Sequence, residues 1–344
     1  MIPKHYKPEE VDKVWKVDYE NIANSAHSWS VSNSIEPSSK DKIKTCLILV
    51  DIQNTFCIPE FELFVRGKTG TGAVDDNKRL CEFIYSNIND ITHIAITMDT
   101  HQAMQVFHSI FFVNDEGEHP SPFTLISYKS VKDGKWKFNN KIHHNLNIST
   151  DFIQKHLLHY TEELEAKGKY ELTIWPYHAM LGGVGHALVS SVEEAIFFHT
   201  IARFSQPEFH IKGDNPLTEH YSVLDPEVLT GPDSKPLSKR DESLFNKTKS
   251  SESIIQKLID YDRIVIAGQA KSHCVAWTIE DILRKLSIMD KSLARKIYIL
   301  EDCTSPVVVP DTLDYSEEAD RAFERFENAG MHLVRSTDPI ESWS

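Results

Sequence analysis

The chain has no apolar run long enough to span a bilayer, no Cys-x-x-Cys pair, no concentrated stripe of Lys and Arg, no internal repeat and no low-complexity tract. Each absence removes a class of function. A membrane-spanning helix needs about 20 consecutive apolar residues. The opening stretch Met1-Ile-Pro-Lys-His-Tyr-Lys-Pro-Glu-Glu10 has no apolar run behind its basic residues, so a soluble, cytoplasmic protein without membrane partners is expected. Five cysteines, at 46, 57, 81, 274 and 303, are widely spaced and odd in number, which fits reduced thiols rather than a disulfide framework or a zinc ribbon. The net charge of −14 has the wrong sign for binding a phosphate backbone, so nucleic acid is not an expected partner. What is present is 344 residues, 40% of them apolar, ample for the core of one elaborated globular domain.

The stretch from Arg263 to Leu283 organises the rest. Ile264-Val-Ile-Ala267 is the apolar, β-branched run of a strand buried on both faces, and Val275, Ile279, Ile282 and Leu283 fall on one face at helical spacing. This reads as strand, tight turn, helix, with Cys274 at or near the helix N-terminus. There the dipole and unpaired N–H groups favour a thiolate and could bind an oxyanion. A small buried apolar residue is the competing reading of Cys274.

In chain order, residues 1–43 are polar and mixed and read as an N-terminal extension with one helix, leaving 44–344 as the main domain. Cys46-Leu-Ile-Leu-Val50 closes on Asp51, helical spacing follows over 75–87, and His93-Ile-Ala-Ile-Thr-Met98 closes on Asp99. The βαβ rhythm then breaks for an insertion at about 109–170. Within it a hairpin is expected around Asp133-Gly134 and an amphipathic helix over 149–167, with Gly168 just past its end. Ser191-Val-Glu-Glu194 resembles a capping box, and Glu208-Phe-His-Ile211 ends on Lys212-Gly213. Residues 214–250 read as a long loop, a lid or pocket wall. A helix at 252–260, strands at 296–301 and 331–335, and a helix through Phe323 and Phe326 complete the pattern. Six apolar strands separated by helices predict a doubly wound, mostly parallel sheet with helices on both faces.

Asp51, Lys212 and Cys274 thus stand at the carboxyl ends of three predicted strands, where open α/β sheets place their sites. An acid to take a thiol proton and a cation to hold the sulfur's charge are what a cysteine nucleophile requires.

These residues resemble the isochorismatase-like cysteine hydrolases, and within them the nicotinamidases. Asp51-Ile-Gln-Asn-Thr-Phe56-Cys57 is similar to the family's Asp-x-Gln-Asn-x-Phe start, Lys212-Gly213 to its Lys-Gly, and Gly268-Gln-Ala-Lys-Ser-His-Cys274-Val to its nucleophile turn. The resemblance implies a triad of Asp51, Lys212 and Cys274, a cis peptide between Gln269 and Ala270, and an oxyanion hole from the N–H groups of Ala270 and Cys274. Asp99-Thr-His101, His108 and Trp175-Pro-Tyr-His178 resemble the family's metal-holding segments. One carboxylate with two or three imidazoles suits a divalent ion, zinc first, with iron or manganese as alternatives. Phe56, Trp175, Gln269 and Tyr221 are implied as substrate-binding. Ser272 departs from the family, which often carries Asp there, and Ala179 and Gly183-Val-Gly185-His186 depart as well.

The expected activity is hydrolysis of a small carboxamide, nicotinamide to nicotinate and ammonia in pyridine nucleotide salvage, by a chain that could form a homo-oligomer. Another small-amide or ureido hydrolase of the family is the runner-up, and a catalytically silent binding or scaffold protein is the reading from another class.

Overall fold

The computed structural model describes residues 2–237 and 251–343. Its frame is one sheet of six strands, β1 (Thr45–Val50), β2 (His93–Asp99), β3 (Glu208–Lys212), β4 (Arg263–Gly268), β5 (Ile297–Leu300) and β6 (His332–Val334), in the order β6-β5-β4-β1-β2-β3. Every neighbouring pair is parallel, so the doubly wound sheet expected from the apolar runs is the one observed.

The central strand β1 is buried at all six positions because both its faces are covered. Alternate side chains serve different cores. Leu47 and Leu49 face the layer of α1 (Tyr19–Ser32), α2 (Gly72–Ser86) and α4 (Ser190–Arg203). Cys46, Ile48 and Val50 face that of α5 (Ser251–Leu258), α6 (Ala276–Met289) and α7 (Ser316–Asn328).

The chain runs outward from β1 to β2 and β3, then returns to build β4, β5 and β6 on the other side of β1. The crevice at such a reversal, outside the carboxyl ends of the two central strands, is where ligands bind in open α/β sheets. Asp51 and the Cys274 turn lie on its two sides. Gly268 closes β4 with φ +130, and a Cβ there would lie 2.1 Å from the Val50 carbonyl oxygen. Only glycine lets these strand ends approach so closely.

A third core sits between β2 and α4. Two short antiparallel pairs, Phe112–Val113 with Lys137–Phe138 and Leu125–Ile126 with Leu172–Thr173, flank the helix α3 (Thr150–Ala166). Phe111, Phe112, Phe138, Ile153 and Leu157 bury against Leu217, Val228 and Leu237 from the segment after β3. The inserted chain and the start of the expected long loop therefore pack as one layer over the crevice. Residues 238–250 of that loop lie outside the described residues. Toward the N-terminus, α1 packs on α4, and Ser190 Oγ exchanges hydrogen bonds with the Trp15 backbone.

Two local expectations are corrected. No hairpin forms at Asp133-Gly134: Tyr128–Lys132 is a short helix that ends there, Gly134 taking φ +77, and Lys137–Phe138 pairs instead with Phe112–Val113. Ser191 caps nothing, because α4 begins one residue earlier with Val189 at its cap and no side-chain capping bond. Among the described residues no helix is long and apolar enough to cross a membrane.

Candidate active site

Three strand ends deliver three side chains to one point. Asp51 follows β1 with φ +49 and is fully buried. Its carboxylate is held by Thr97 of β2, whose hydroxyl donates to Oδ1 at 2.6 Å. Lys212 ends β3 and places Nζ 2.9 Å from Asp51 Oδ2, 3.0 Å from Asp99 Oδ1, 2.9 Å from the His220 carbonyl and 3.5 Å from Cys274 Sγ. Cys274 sits in a single π-turn, Lys271–Val275, ahead of α6. Its relative exposure of 7% lies on the wall of the central pocket.

The electrostatics revise one expectation. Burial pushes the Cys274 thiol well above its usual range, Lys212 opposes the rise, and the carboxylates of Asp51 and Asp99 add to it. Desolvation and the two nearby carboxylates thus oppose the thiolate that a helix N-terminus and a neighbouring lysine favour. Burial also raises Asp51, against the pull of Lys212. Lys212 itself would lose its proton through burial, but Asp51 and Asp99 keep it charged.

The Gln269–Ala270 peptide is cis. The Ala270 backbone N–H makes no hydrogen bond among the described residues and is free for a ligand. Gln269 differs from its expected role in substrate contact. Its side chain is turned away from the pocket, donating to Asp76 Oδ2 at 2.9 Å and accepting from the Ser305 backbone at 3.4 Å. Fully buried, an amide needs such partners, and α2 supplies one in Asp76.

Asp99, His101 and His178 converge, with one ligand atom of each within 4.8 Å of the others. His101 Nδ1 contacts the Gly213 carbonyl at 2.9 Å and His178 Nδ1 the Pro176 carbonyl at 2.8 Å. A carbonyl only accepts, so the ring protons belong on Nδ1 and the Nε2 lone pairs face Asp99 Oδ2, at 2.8 and 3.6 Å. Acceptors facing a carboxylate oxygen at this range are reconciled by a proton or by a cation, and this donor set suits zinc, manganese or iron. Asp99 is itself oriented by Gln53, whose amide accepts from the Asp99 N–H and donates to its carbonyl, both at 2.8 Å. Burial alone would raise Asp99, yet neighbouring charge, the Lys212 ammonium at 3.0 Å included, holds it well below the usual carboxylate range. His108 stands apart, its ring centroid 6.0 Å from that of His101 and 6.2 Å from that of His178. Its Nε2 is buried without a partner, and burial holds its pKa down at about 3.

The pocket between these groups holds about 510 Å³ of empty space, its solvent-open mouth included. Phe56, Trp175 and Tyr221 line it as expected substrate contacts would, and so do His273, Glu219, Leu63 and Val307, none of which was singled out from the sequence. Trp175 Nε1 donates to the Tyr221 hydroxyl at 3.1 Å, which donates to Glu219 Oε1 at 2.8 Å, while Tyr160 of α3 donates to Oε2 at 2.9 Å. Burial pushes Glu219 up to about 8 against these hydroxyls. A glutamate two residues before Tyr221 in an aperiodic stretch carries no signal that could have found it.

No protein-family model and no curated protein sequence matches the chain. Among solved structures it is similar to the yeast nicotinamidase bound to the inhibitor nicotinaldehyde, at 18% identity over 85% of this chain and 99% of that one, with a TM-score of 0.49. It is also similar to an Acinetobacter baumanii nicotinamidase and pyrazinamidase, at 15% identity over 87% and 99% with a TM-score of 0.48. A third similarity is to the Pyrococcus horikoshii pyrazinamidase in complex with zinc, at 17% identity over 85% and 98% with a TM-score of 0.40.

Proposed function

We propose that this chain is an isochorismatase-like amidohydrolase that cleaves the C–N bond of a small carboxamide through Cys274, with nicotinamide as the leading substrate. The observation that carries the reading is Lys212, whose Nζ touches Asp51, Asp99 and Cys274 Sγ at once. That one ammonium joins an acid, a nucleophile and a metal-ligand set around a pocket of aromatic walls.

In the proposed reaction Asp51 accepts the Cys274 proton as the sulfur attacks the amide carbon. The thiol proton must leave during attack, because the surroundings disfavour a resting thiolate. Lys212 offsets the charge passing between sulfur and carboxylate. The oxyanion falls to the N–H groups of Ala270 and Cys274, donors typically worth about 3 kcal/mol each in such sites. Asp51 returns the proton to the leaving nitrogen, ammonia departs and a thioester remains. A water molecule, deprotonated by Asp51, then attacks the thioester, releasing the carboxylic acid and restoring the thiol. Asp99, His101 and His178 would hold a divalent ion, which when bound supplies an electrophilic contact for a substrate ring nitrogen. Phe56 and Trp175 present flat faces to a planar ring.

Ammonia release from nicotinamide and a panel of small amides tests the reading. Turnover is expected for the native protein and its loss in Cys274→Ala; full turnover in that variant would refute the covalent route.

A further inference from the structure

The Ala270 N–H, free for a ligand on the wall of the pocket, is framed by groups that are engaged. The Ala270 carbonyl accepts from the His273 and Val275 N–H groups at 3.0 and 3.2 Å. The Gln269 N–H donates to the Val50 carbonyl, and the Lys271 N–H to the Ser305 carbonyl, both at 2.8 Å. The Gln269 side chain reaches the same serine, its Oε1 accepting from the Ser305 N–H at 3.4 Å. Ser305 thus holds the chain on both sides of Ala270.

Behind Gln269 stands Asp76 of α2, 2% exposed. Its carboxylate collects three donors: Gln269 Nε2 at 2.9 Å, an Arg79 guanidinium nitrogen at 2.8 Å and the Ser305 side chain. Burial pushes Asp76 up to about 6 against those bonds, which leaves it ionised at neutral pH. An ionised carboxylate only accepts and a backbone N–H only donates, so the Gln269 amide has a single orientation between Asp76 and Ser305. Arg79 also donates through Nε to the Asp302 carbonyl, tying Asp76 to the loop that carries Ser305. Ser305 is closed in from the far side, where a Cβ on Gly72 would lie 2.7 Å from its Oγ. A buried carboxylate is costly to desolvate, and an apolar side chain at 269 would need no such partner. What the charge supplies here is direction.

We propose that Asp76 is a positioning residue for the reaction: through Gln269 and Ser305 it aims the Ala270 N–H at the oxygen that gains charge when Cys274 attacks a carbonyl carbon. Asp76 does not line the pocket and acts only through those two residues. The inference rests on the carboxamide reading above for the identity of that carbonyl. Deleting one oxyanion donor typically costs about 10²–10³ in turnover, and misaiming one should cost about tenfold or more.

An aldehyde reads the donor without turnover. The Cys274 sulfur adds to its carbonyl carbon, the π pair passes to oxygen and the thiol proton to Asp51, leaving an alkoxide facing the Ala270 N–H. Binding of pyridine-3-carbaldehyde to the zinc-loaded protein is compared with that of 3-methylpyridine, which offers the same ring and no oxygen. The comparison is made in the native chain, in Asp76→Asn and in Gln269→Leu. Asn offers one oxygen where three donors meet; Gln269→Leu leaves Asp76 paired with Arg79 and Ser305 and should fold even where Asp76→Asn does not. Both variants should weaken the aldehyde by about tenfold, leave 3-methylpyridine within about twofold, and lower kcat for the amide with little change in KM. An aldehyde-to-methylpyridine ratio unchanged in either folded variant overturns the proposal, whatever the urea midpoints do. Should no carboxamide be hydrolysed, the amide reading fails on its own. Propanal, which needs only the sulfur and the donors, then decides this one: a weaker adduct in the variants supports it, and an equal adduct, or none in the native chain, overturns it.

Discussion

Nζ of Lys212 lies 2.9 Å from Oδ2 of Asp51, and both side chains are shut off from water. An ion pair so deeply placed contributes little net stability, but removing one partner leaves an uncompensated charge. The two removals are not equivalent, since Lys212 retains Asp99 at 3.0 Å when Asp51 is neutralised.

Lys212→Met is therefore expected to destabilise the fold by about 3–5 kcal/mol, and Asp51→Asn by less, as read from urea midpoints. Asp51→Asn should still lower turnover by about 10²–10⁴, the usual worth of a general base. Equal losses of stability in the two variants would contradict this placement of the charges.

His101→Ala should lose bound metal outright, whereas His108→Ala should retain most of it, because His108 lies outside the cluster formed by Asp99, His101 and His178. Elemental analysis of the purified variants checks the contrast. Chelation of the native protein should abolish ammonia release and added zinc restore it.

Gly213→Ala is expected to disrupt the same cluster without touching a ligand. The residue has φ +87, and a Cβ there would lie 2.6 Å from Asp99 Oδ1 and 2.7 Å from His101 Cε1. Both the left-handed backbone and the contact oppose a side chain. Metal content should fall in parallel with turnover; an alanine variant with full metal content would show that the ligands can shift freely.

Glu219 makes stability pH-dependent. Its folded pKa of about 8 lies above its ordinary value of 4.5, so the folded state holds the proton more tightly than the unfolded chain. Its contribution is fully present below pH 4.5 and is lost as pH rises through 8. Urea midpoints should fall from pH 5 to pH 8.5 in the native chain, and less steeply in Glu219→Gln.

The frame and the core of the site were legible because their signals are local. β1 and β4 are unbroken apolar runs because each is covered on both faces, and the residues ending β1 and β2 read directly as Asp51 and Asp99. Three metal-ligand candidates, Asp99, His101 and His178, were named from short motifs and do converge. Gln269 was misread because its motif position says nothing of its side-chain direction, which Asp76 on α2 decides. The Asp133-Gly134 hairpin failed for a related reason: a turn dipeptide does not choose its partner strand, and the inserted layer paired Lys137–Phe138 with Phe112–Val113 instead.

By itself the sequence determined six buried strands, their alternation with helices, and which chemical groups end the central ones, since periodicity and burial are written into neighbouring residues. Only the tertiary structure decided that burial and two carboxylates bear on the Cys274 thiol, that Tyr160 from an inserted helix braces Glu219 behind the pocket, and that the Ser272 hydroxyl meets the His273 ring. Proton positions and pKa values depend on which distant groups share one desolvated space, and no window of sequence contains that information.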